Sequence, residues 1–171
     1  MELFFMDNYQ SIKRDFLNKI KNSFDYALHK ELDEKLKNDK DIIKEFAKQT
    51  FEALAYASEE LNNNHSFVVE IMKINGGCLT YAVDEFKKDK EIVLEAIKNG
   101  GTIYCADPIL KKDREFSLIA IKNGEDIRNI DPAFYDDEEI LNESEKKNKC
   151  SKYWAIGYWE GLHSDDDNRQ R

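Results

Sequence analysis

The chain has 171 residues, of which 36% are charged and 41% hydrophobic, and its formal net charge is −9. This length suffices for one domain with a substantial core, while the negative charge disfavours direct nucleic-acid binding and contact with anionic membranes. No apolar run approaches the roughly 18–20 residues of a membrane-spanning helix, and three cysteines without metal-type spacing favour a reducing compartment, so we expect a cytoplasmic protein.

The first 35 residues carry apolar side chains at helical spacing, among them Ile12, Phe16 and Ile20. Asp15 lies 24 residues before Asp39, which is the interval of the repeat that follows (39 − 15 = 24). We interpret residues 1–35 as a degenerate first copy of that repeat.

A unit of about two dozen residues then repeats from Leu36 to Phe134. It opens at Asp39, Asn64, Asp89 and Asp113, at steps of 25, 25 and 24 (64 − 39, 89 − 64 and 113 − 89). Apolar residues follow each opening residue at offsets three, four, seven and eight, with one lapse at Ser117. Because Asp and Asn cap helices and this spacing makes one apolar stripe, each unit is predicted to begin with an α-helix of about three turns.

Turn signals follow each stripe. Glycines in the later units, such as Gly76 and Gly100, are typical of helix ends. A shorter apolar pair at helical spacing comes next, and Pro108 and Pro132 are expected to end that second helix. Each unit is therefore predicted as helix, turn, short helix and return loop.

A period in this range is typical of stacked helical units that share one core. We predict an all-α fold, a short α-solenoid of about four to six two-helix repeats with a period of 23–25 residues and a C-terminal capping helix. One domain is expected over residues 1–163, with clear repeats at 36–134 and degenerate ends at 1–35 and 135–163, and a disordered tail at 164–171. A last decayed unit is predicted to begin at Asp136, 23 residues after Asp113 (136 − 113 = 23).

Two runs of the repeat carry a resemblance. The run D-K-E-I-V-L-E-A-I-K-N-G at 89–100 and the run L-A-Y-A-S-E-E-L at 54–61 resemble the helical repeat catalogued as domain of unknown function 4116. The likeness extends over about Asp39 to Phe134. It departs from the family pattern at Thr50 and Phe51, at Asn64 and at the two prolines. The resemblance implies the repeat fold and no chemistry.

A search for catalytic and metal-binding patterns finds none that is complete. His29, His65 and His163 lie far apart in the chain, without partners at metal-ligand spacing. No glycine-rich phosphate loop or nucleophile elbow occurs. Cys78, which follows two glycines, is the best nucleophile candidate. We expect no catalytic residue, metal or cofactor, and an enzyme that uses Cys78 stays open as an alternative.

Two rows of charged residues recur with the repeat. Lys48, Lys73, Lys98 and Lys122 lie at the end of the long helices, and Glu45, Glu70 and Glu95 precede the first three of them by one turn, which predicts local ion pairs. The second row is acidic and follows the short helices, so stacking is expected to bring it to one edge. It is either a solvated rim or a docking edge for a basic partner.

The segment around Trp154, Tyr158 and Trp159 departs from the repeat composition. It is interpreted as a capping helix or, alternatively, as an aromatic contact patch. The candidate protein-binding residues from both features are Glu59, Glu60, Asp84, Glu85, Asp107, Asp131, Asp136, Asp137, Trp154, Tyr158 and Trp159.

The composition and the repeat together favour a non-enzymatic module that binds another protein, with a basic surface, through an acidic edge or an extended face. The narrower alternative is an acidic inhibitor, of the immunity or phage anti-defence type, that blocks the basic groove of a nucleic-acid-acting enzyme. The sequence leaves the oligomeric state open.

Overall fold

The computed structural model describes residues 2–22 and 26–147 of the protein. All regular structure in these two ranges is helical, which confirms the all-α prediction. The six longest helices are α1 (Glu2–Asn22), α3 (Lys40–Gln49), α6 (His65–Ile74), α8 (Lys90–Lys98), α10 (Arg114–Lys122) and α11 (Glu138–Lys147). Shorter α-helices lie between them: α2 (Glu34–Lys37), α4 (Ala53–Tyr56), α5 (Glu59–Asn62), α7 (Asp84–Lys87) and α9 (Pro108–Lys111). Short 3-10 helices cover Tyr26–Glu31, Gly76–Tyr81, Ile103–Cys105, Ile127–Asn129 and Pro132–Phe134.

The four opening residues of the sequence repeat are helix caps. Asp39, Asn64, Asp89 and Asp113 precede α3, α6, α8 and α10, and each side-chain oxygen accepts backbone N–H groups from the first turn. Such a cap satisfies donors that have no partner inside the helix. The predicted starts of these helices are therefore confirmed.

The predicted apolar stripes form the core. In α8, for example, Ile92, Val93, Ala96 and Ile97 are all buried. Ser117, the one polar residue in these stripes, is also buried, and its hydroxyl donates a hydrogen bond to the Lys111 carbonyl at 3.1 Å. A serine is tolerated there because its donor is satisfied.

Each long helix packs against the next one in the chain. Contacts join α1 to α3, α3 to α6, α6 to α8, α8 to α10 and α10 to α11. Four connecting segments of equal length separate the caps from the preceding helices: residues 50–63, 75–88, 99–112 and 123–136. We call these the first to fourth connecting segments.

Each connecting segment holds two short helical pieces, where the sequence predicted one helix and a loop. Pro108 is the first residue of α9 and Pro132 the first of the last 3-10 helix, so both prolines begin a helix. The prediction that they end one was wrong. Proline is tolerated at a first helical position because its missing N–H would have no intrahelical partner there.

The residues predicted to open the first and the last unit do not begin helices. Asp15 lies inside α1 and caps nothing. The cap of α11 is Asp137 and not Asp136, since Asp137 Oδ1 accepts the N–H groups of Glu139 at 3.1 Å and Ile140 at 3.2 Å. This position keeps the 24-residue step from Asp113 (137 − 113 = 24).

The second and third connecting segments approach each other closely at two glycines. Gly76 donates its N–H to the Asn99 carbonyl at 2.9 Å. A Cβ on Gly76 would lie 1.9 Å from the Ala96 carbonyl oxygen and 2.6 Å from the Gly101 nitrogen. Glycine is therefore required at position 76 by backbone contact.

The described helices include none that is long and apolar enough to cross a membrane. The predicted capping helix, the predicted tail at 164–171 and the candidate residues Trp154, Tyr158 and Trp159 lie outside the described residues.

Candidate protein-binding surface

Exposed apolar side chains are concentrated on the connecting segments. Five large hydrophobic residues are exposed in the described part of the chain, and four of them belong to these segments. They are Phe51 (49% exposed), Tyr81 (36%), Tyr104 (72%) and Ile109 (66%). The fifth, Ile12, lies on α1. We call the exposed residues of the four segments the connecting face.

Phe51 and Tyr81 form a stacked aromatic pair across the first two connecting segments. Their ring centroids are 6.0 Å apart with an interplanar angle of 30°. Glu52 lies beside them, and its carboxylate accepts hydrogen bonds from the hydroxyl groups of Tyr81 at 3.4 Å and Tyr56 at 2.5 Å. The pair therefore presents aromatic surface with a carboxylate at its side.

An open groove of about 580 Å³ adjoins this pair, past the ends of α3 and α6. The described residues that line it carry no charged side chain: Gln49, Thr50, Phe51, Asn75, Gly77, Thr80 and Gly100. Phe51 packs on Gly77, where an added Cβ would lie 3.1 Å from the Phe51 Cβ. An added Cβ on Gly100 would meet no atom within 4 Å.

The predicted acidic residues lie on the second short helices of the connecting segments. Glu59 and Glu60 are exposed in the first turn of α5, and Asp84 and Glu85 in the first turn of α7. Glu60 accepts a hydrogen bond from the Asn38 amide at 2.9 Å, and Asp84 forms an ion pair with Lys87 at 3.5 Å. These four carboxylates remain accessible to a partner.

Three other predicted acidic residues have roles inside the fold. Asp107 caps α9, Asp131 caps the 3-10 helix Pro132–Phe134, and Asp137 caps α11. Asp137 also pairs with Arg114, which holds the pKa of its carboxyl below the usual value. Asp136, its neighbour, is exposed. The carboxylates of Asp107, Asp131 and Asp137 are thus less available to a partner than the sequence analysis predicted.

Negative charge is unevenly distributed over the connecting segments. The first segment holds three acidic and no basic residues (0 − 3 = −3), and the second is balanced (2 − 2 = 0). The third carries a small excess of lysine (2 − 1 = +1), and the fourth is acidic again (1 − 4 = −3). The first connecting segment therefore combines a charge of −3 with one exposed aromatic residue, Phe51.

Side chains at the start of α6, α8 and α10, and Lys13 within α1, contact the cap of a following long helix. Lys13 forms an ion pair with Asp39 at 2.9 Å, Lys90 with Asp113 at 2.5 Å and Arg114 with Asp137 at 2.7 Å. The His65 Nε2 lies at hydrogen-bond distance, 3.2 Å, from Asp89 Oδ2. The cap of α6, Asn64, has no carboxylate to pair with Lys40 at the start of α3. The Lys40 ammonium lies 5.9 Å from the centroid of the Phe67 ring instead. These charges stabilise neighbouring helices rather than forming a separate site.

The lysine row pairs largely as predicted. Lys48 contacts Glu45 at 2.9 Å and Lys98 contacts Glu95 at 3.8 Å, each one turn apart. Glu70 differs, because it pairs with Lys44 of the preceding long helix. The row therefore carries little uncompensated charge near α3 and α8.

Cys78 is poorly placed for nucleophilic catalysis. Its side chain is fully buried, and burial raises the pKa of the thiol to about 12. Since the thiolate is the reactive form, neutral solution leaves this group protonated and out of reach. In the described ranges no group of three or more His, Cys, Asp or Glu side chains is arranged to hold a metal ion.

Glu125 is a buried carboxylate that sequence reasoning did not single out. It accepts hydrogen bonds from the Thr102 hydroxyl at 3.1 Å, the Asn129 amide at 2.9 Å and the backbone N–H groups of Ile103 and Asp126. With its acceptors occupied by the third and fourth connecting segments, it joins those segments.

One comparison with known proteins gives a match. The family described as Domain of unknown function (DUF4116) matches residues 13–62 and 64–108, which together are more than half of the chain. No curated protein and no solved structure matches. The match confirms the resemblance found in the sequence runs at 54–61 and 89–100, and the family's description gives no activity.

Proposed function

The chain belongs to this family of domains of unknown function, and we propose that it is a non-enzymatic cytoplasmic module that binds another protein through its connecting face. The partner presents a basic surface to the acidic first connecting segment. The observation that carries the proposal is that four of the five large hydrophobic residues exposed in the described part of the chain lie on the connecting segments, the first of which also carries the exposed acids Glu59 and Glu60. Aromatic anchors surrounded by polar residues are typical of protein interfaces.

The proposed architecture is a short α-solenoid of about four to six repeats. The packing of each long helix on the next, and four connecting segments of equal length, support it. In such a stack the connecting segments form one extended surface. An extended surface can contact a large partner without any deep pocket.

Quantitative capture from the native host tests this function. Wild-type protein is compared with a Glu59→Lys/Glu60→Lys variant, which reverses the charge in the first turn of α5. The matched control is Glu91→Lys/Glu115→Lys, because these exposed acids also lie in first turns, those of α8 and α10. We expect a protein that is retained by the wild type and the control and is depleted at least tenfold with the α5 variant. Equal recovery by all three proteins would contradict the proposal.

The inhibitor alternative adds a prediction of its own. If the captured partner acts on nucleic acid, the wild-type protein should inhibit that activity, and inhibition should weaken as salt screens the charges. A partner whose nucleic-acid activity is unchanged at saturating protein would exclude this version.

A further inference from the structure

We propose that the groove beside Phe51 and Tyr81 binds an arginine or lysine side chain carried on an extended segment of the partner. This inference rests on the proposed protein-binding function and assigns the anchor of the interface. It is independent of the acidic residues of α5 and α7, which sequence patterning had already suggested.

The aromatic pair supplies the first part of the site. Phe51 is 49% exposed and Tyr81 36%, although their rings stack on each other. A cation placed over an exposed ring face is attracted by the ring quadrupole. The protein already makes such a contact elsewhere on the connecting face, where the Lys111 ammonium lies 4.8 Å from the Tyr104 ring centroid.

Charge complementarity selects a cation as the occupant. The Glu52 carboxylate lies beside the pair, held by the hydroxyl groups of Tyr56 and Tyr81. Nearby Lys48 is paired with Glu45 at 2.9 Å, so its charge is offset locally. An acidic side chain would meet Glu52 without a compensating cation in the lining of the groove.

The groove itself fits an extended backbone. Its lining, among the described residues, is uncharged and includes the exposed amide side chain of Gln49 and the exposed hydroxyl group of Thr80, which are suited to peptide N–H and carbonyl groups. Gly100 leaves open space where another residue would project a side chain. The volume of about 580 Å³ lies within the roughly 300–1,000 Å³ range of ligand clefts.

The test uses a pair of capped seven-residue peptides that differ only at the central residue, arginine in one and its neutral analogue citrulline in the other. Binding to the full chain is followed by NMR, with shifts read at Phe51, Tyr81, Gly77 and Gly100. We expect saturable shifts at these residues with the arginine peptide and at least tenfold weaker binding of citrulline. The Phe51→Ala/Tyr81→Ala variant should lose the shifts, whereas Ile109→Ala, another exposed apolar residue of the connecting face, should keep them.

Three results would overturn the inference: no saturable shifts with the arginine peptide, equal binding of both peptides, or shifts confined to α5 and α7. Capture from the host separates this failure from failure of the proposed function. If Phe51→Ala/Tyr81→Ala retains the partner while Glu59→Lys/Glu60→Lys loses it, the function stands and the anchor is wrong. If neither variant loses any partner, both are wrong.

Discussion

Arg114 holds the carboxylate that caps the next helix. Its guanidinium donates from Nε to Asp137 Oδ2 at 2.7 Å and from Nη2 to Asp137 Oδ1 at 2.9 Å. Asp137 in turn accepts backbone N–H groups at the start of α11. The first residue of α10 therefore fixes the start of α11, and Lys90 with Asp113 repeats this arrangement one unit earlier.

The Arg114 pair predicts an acid-sensitive contribution to stability. The hydrogen bond from Arg114, followed by backbone N–H groups, lowers the pKa of Asp137 in the folded chain. A lowered folded-state pKa stabilises the fold above the unfolded pKa, and that stabilisation is lost as the pH falls through the folded pKa. Urea unfolding should show Asp137→Asn to be less stable than wild type at neutral pH, with the difference disappearing as the pH falls through the lowered pKa of Asp137.

Asp136→Asn is the control for this measurement, because Asp136 is exposed and caps no helix. It should unfold like the wild type at neutral pH. A stability difference for Asp137→Asn that did not change between neutral and acidic pH would assign its effect to something other than the ion pair.

Close backbone contact at Gly76 predicts a large effect of one methyl group. Gly76→Ala places a Cβ 1.9 Å from the Ala96 carbonyl oxygen of α8 and 2.6 Å from the Gly101 nitrogen, so the second connecting segment must move away from α8 and from the third connecting segment. We expect a loss of about 3 kcal/mol in the free energy of unfolding, the upper end of the usual cost of overpacking. Gly100→Ala is the matched comparison, because an added Cβ there meets open space. Its only cost is the φ of 85°, which is unfavourable for alanine by about 1–2 kcal/mol. Equal losses of unfolding free energy in the two variants would show that the backbone around Gly76 has room for a methyl group.

Much of the fold could be predicted from sequence because the caps and stripes are local signals. Asp39, Asn64, Asp89 and Asp113 identify four helix starts, since a cap and the apolar offsets after it act within one helix. The same reasoning missed the role of Pro108. A proline disfavours a helix interior but suits a helix start, and only the following chain decides which applies.

The candidate surface was harder to predict. Acidic residues such as Glu59 and Glu60 were found because they recur in the sequence, and they are exposed. Phe51 and Tyr81 were missed because they occupy different positions in their units and become neighbours only when two segments pack together. Asp137 was predicted to bind a partner but has a structural role. Its ion-pair partner, Arg114, lies 23 residues earlier in the chain (137 − 114 = 23), so the sequence alone did not indicate the contact.

The buried stripe makes the core of α8 sensitive to truncation. Ile97 is 5% exposed, and Ile97→Ala should lower the free energy of unfolding by about 2–5 kcal/mol, because transfer energy is lost and a cavity is left. Ile12→Ala serves as the control, since Ile12 is 46% exposed and should change stability by about 0.5 kcal/mol or less. A thermal midpoint unchanged by Ile97→Ala would argue against a core shared by the stacked helices.

Burial of Cys78 predicts a protected thiol. Iodoacetamide should leave Cys78 unmodified in the native protein and alkylate it after unfolding in urea, because burial both blocks access and raises the pKa of the thiol. Cys105 is partly exposed and provides an internal reference in the same mass spectrum. Native Cys78 that reacted as fast as Cys105 would revive the enzyme alternative.

The most direct test of binding through the connecting face is hydrogen exchange of the protein with and without its captured partner. Our account predicts slower exchange on binding in the first and second connecting segments, at residues 50–63 and 75–88, with Phe51 and Tyr81 inside the protected region. Partner binding that leaves these segments unchanged and protects only the long helices α3, α6 and α8 would contradict it.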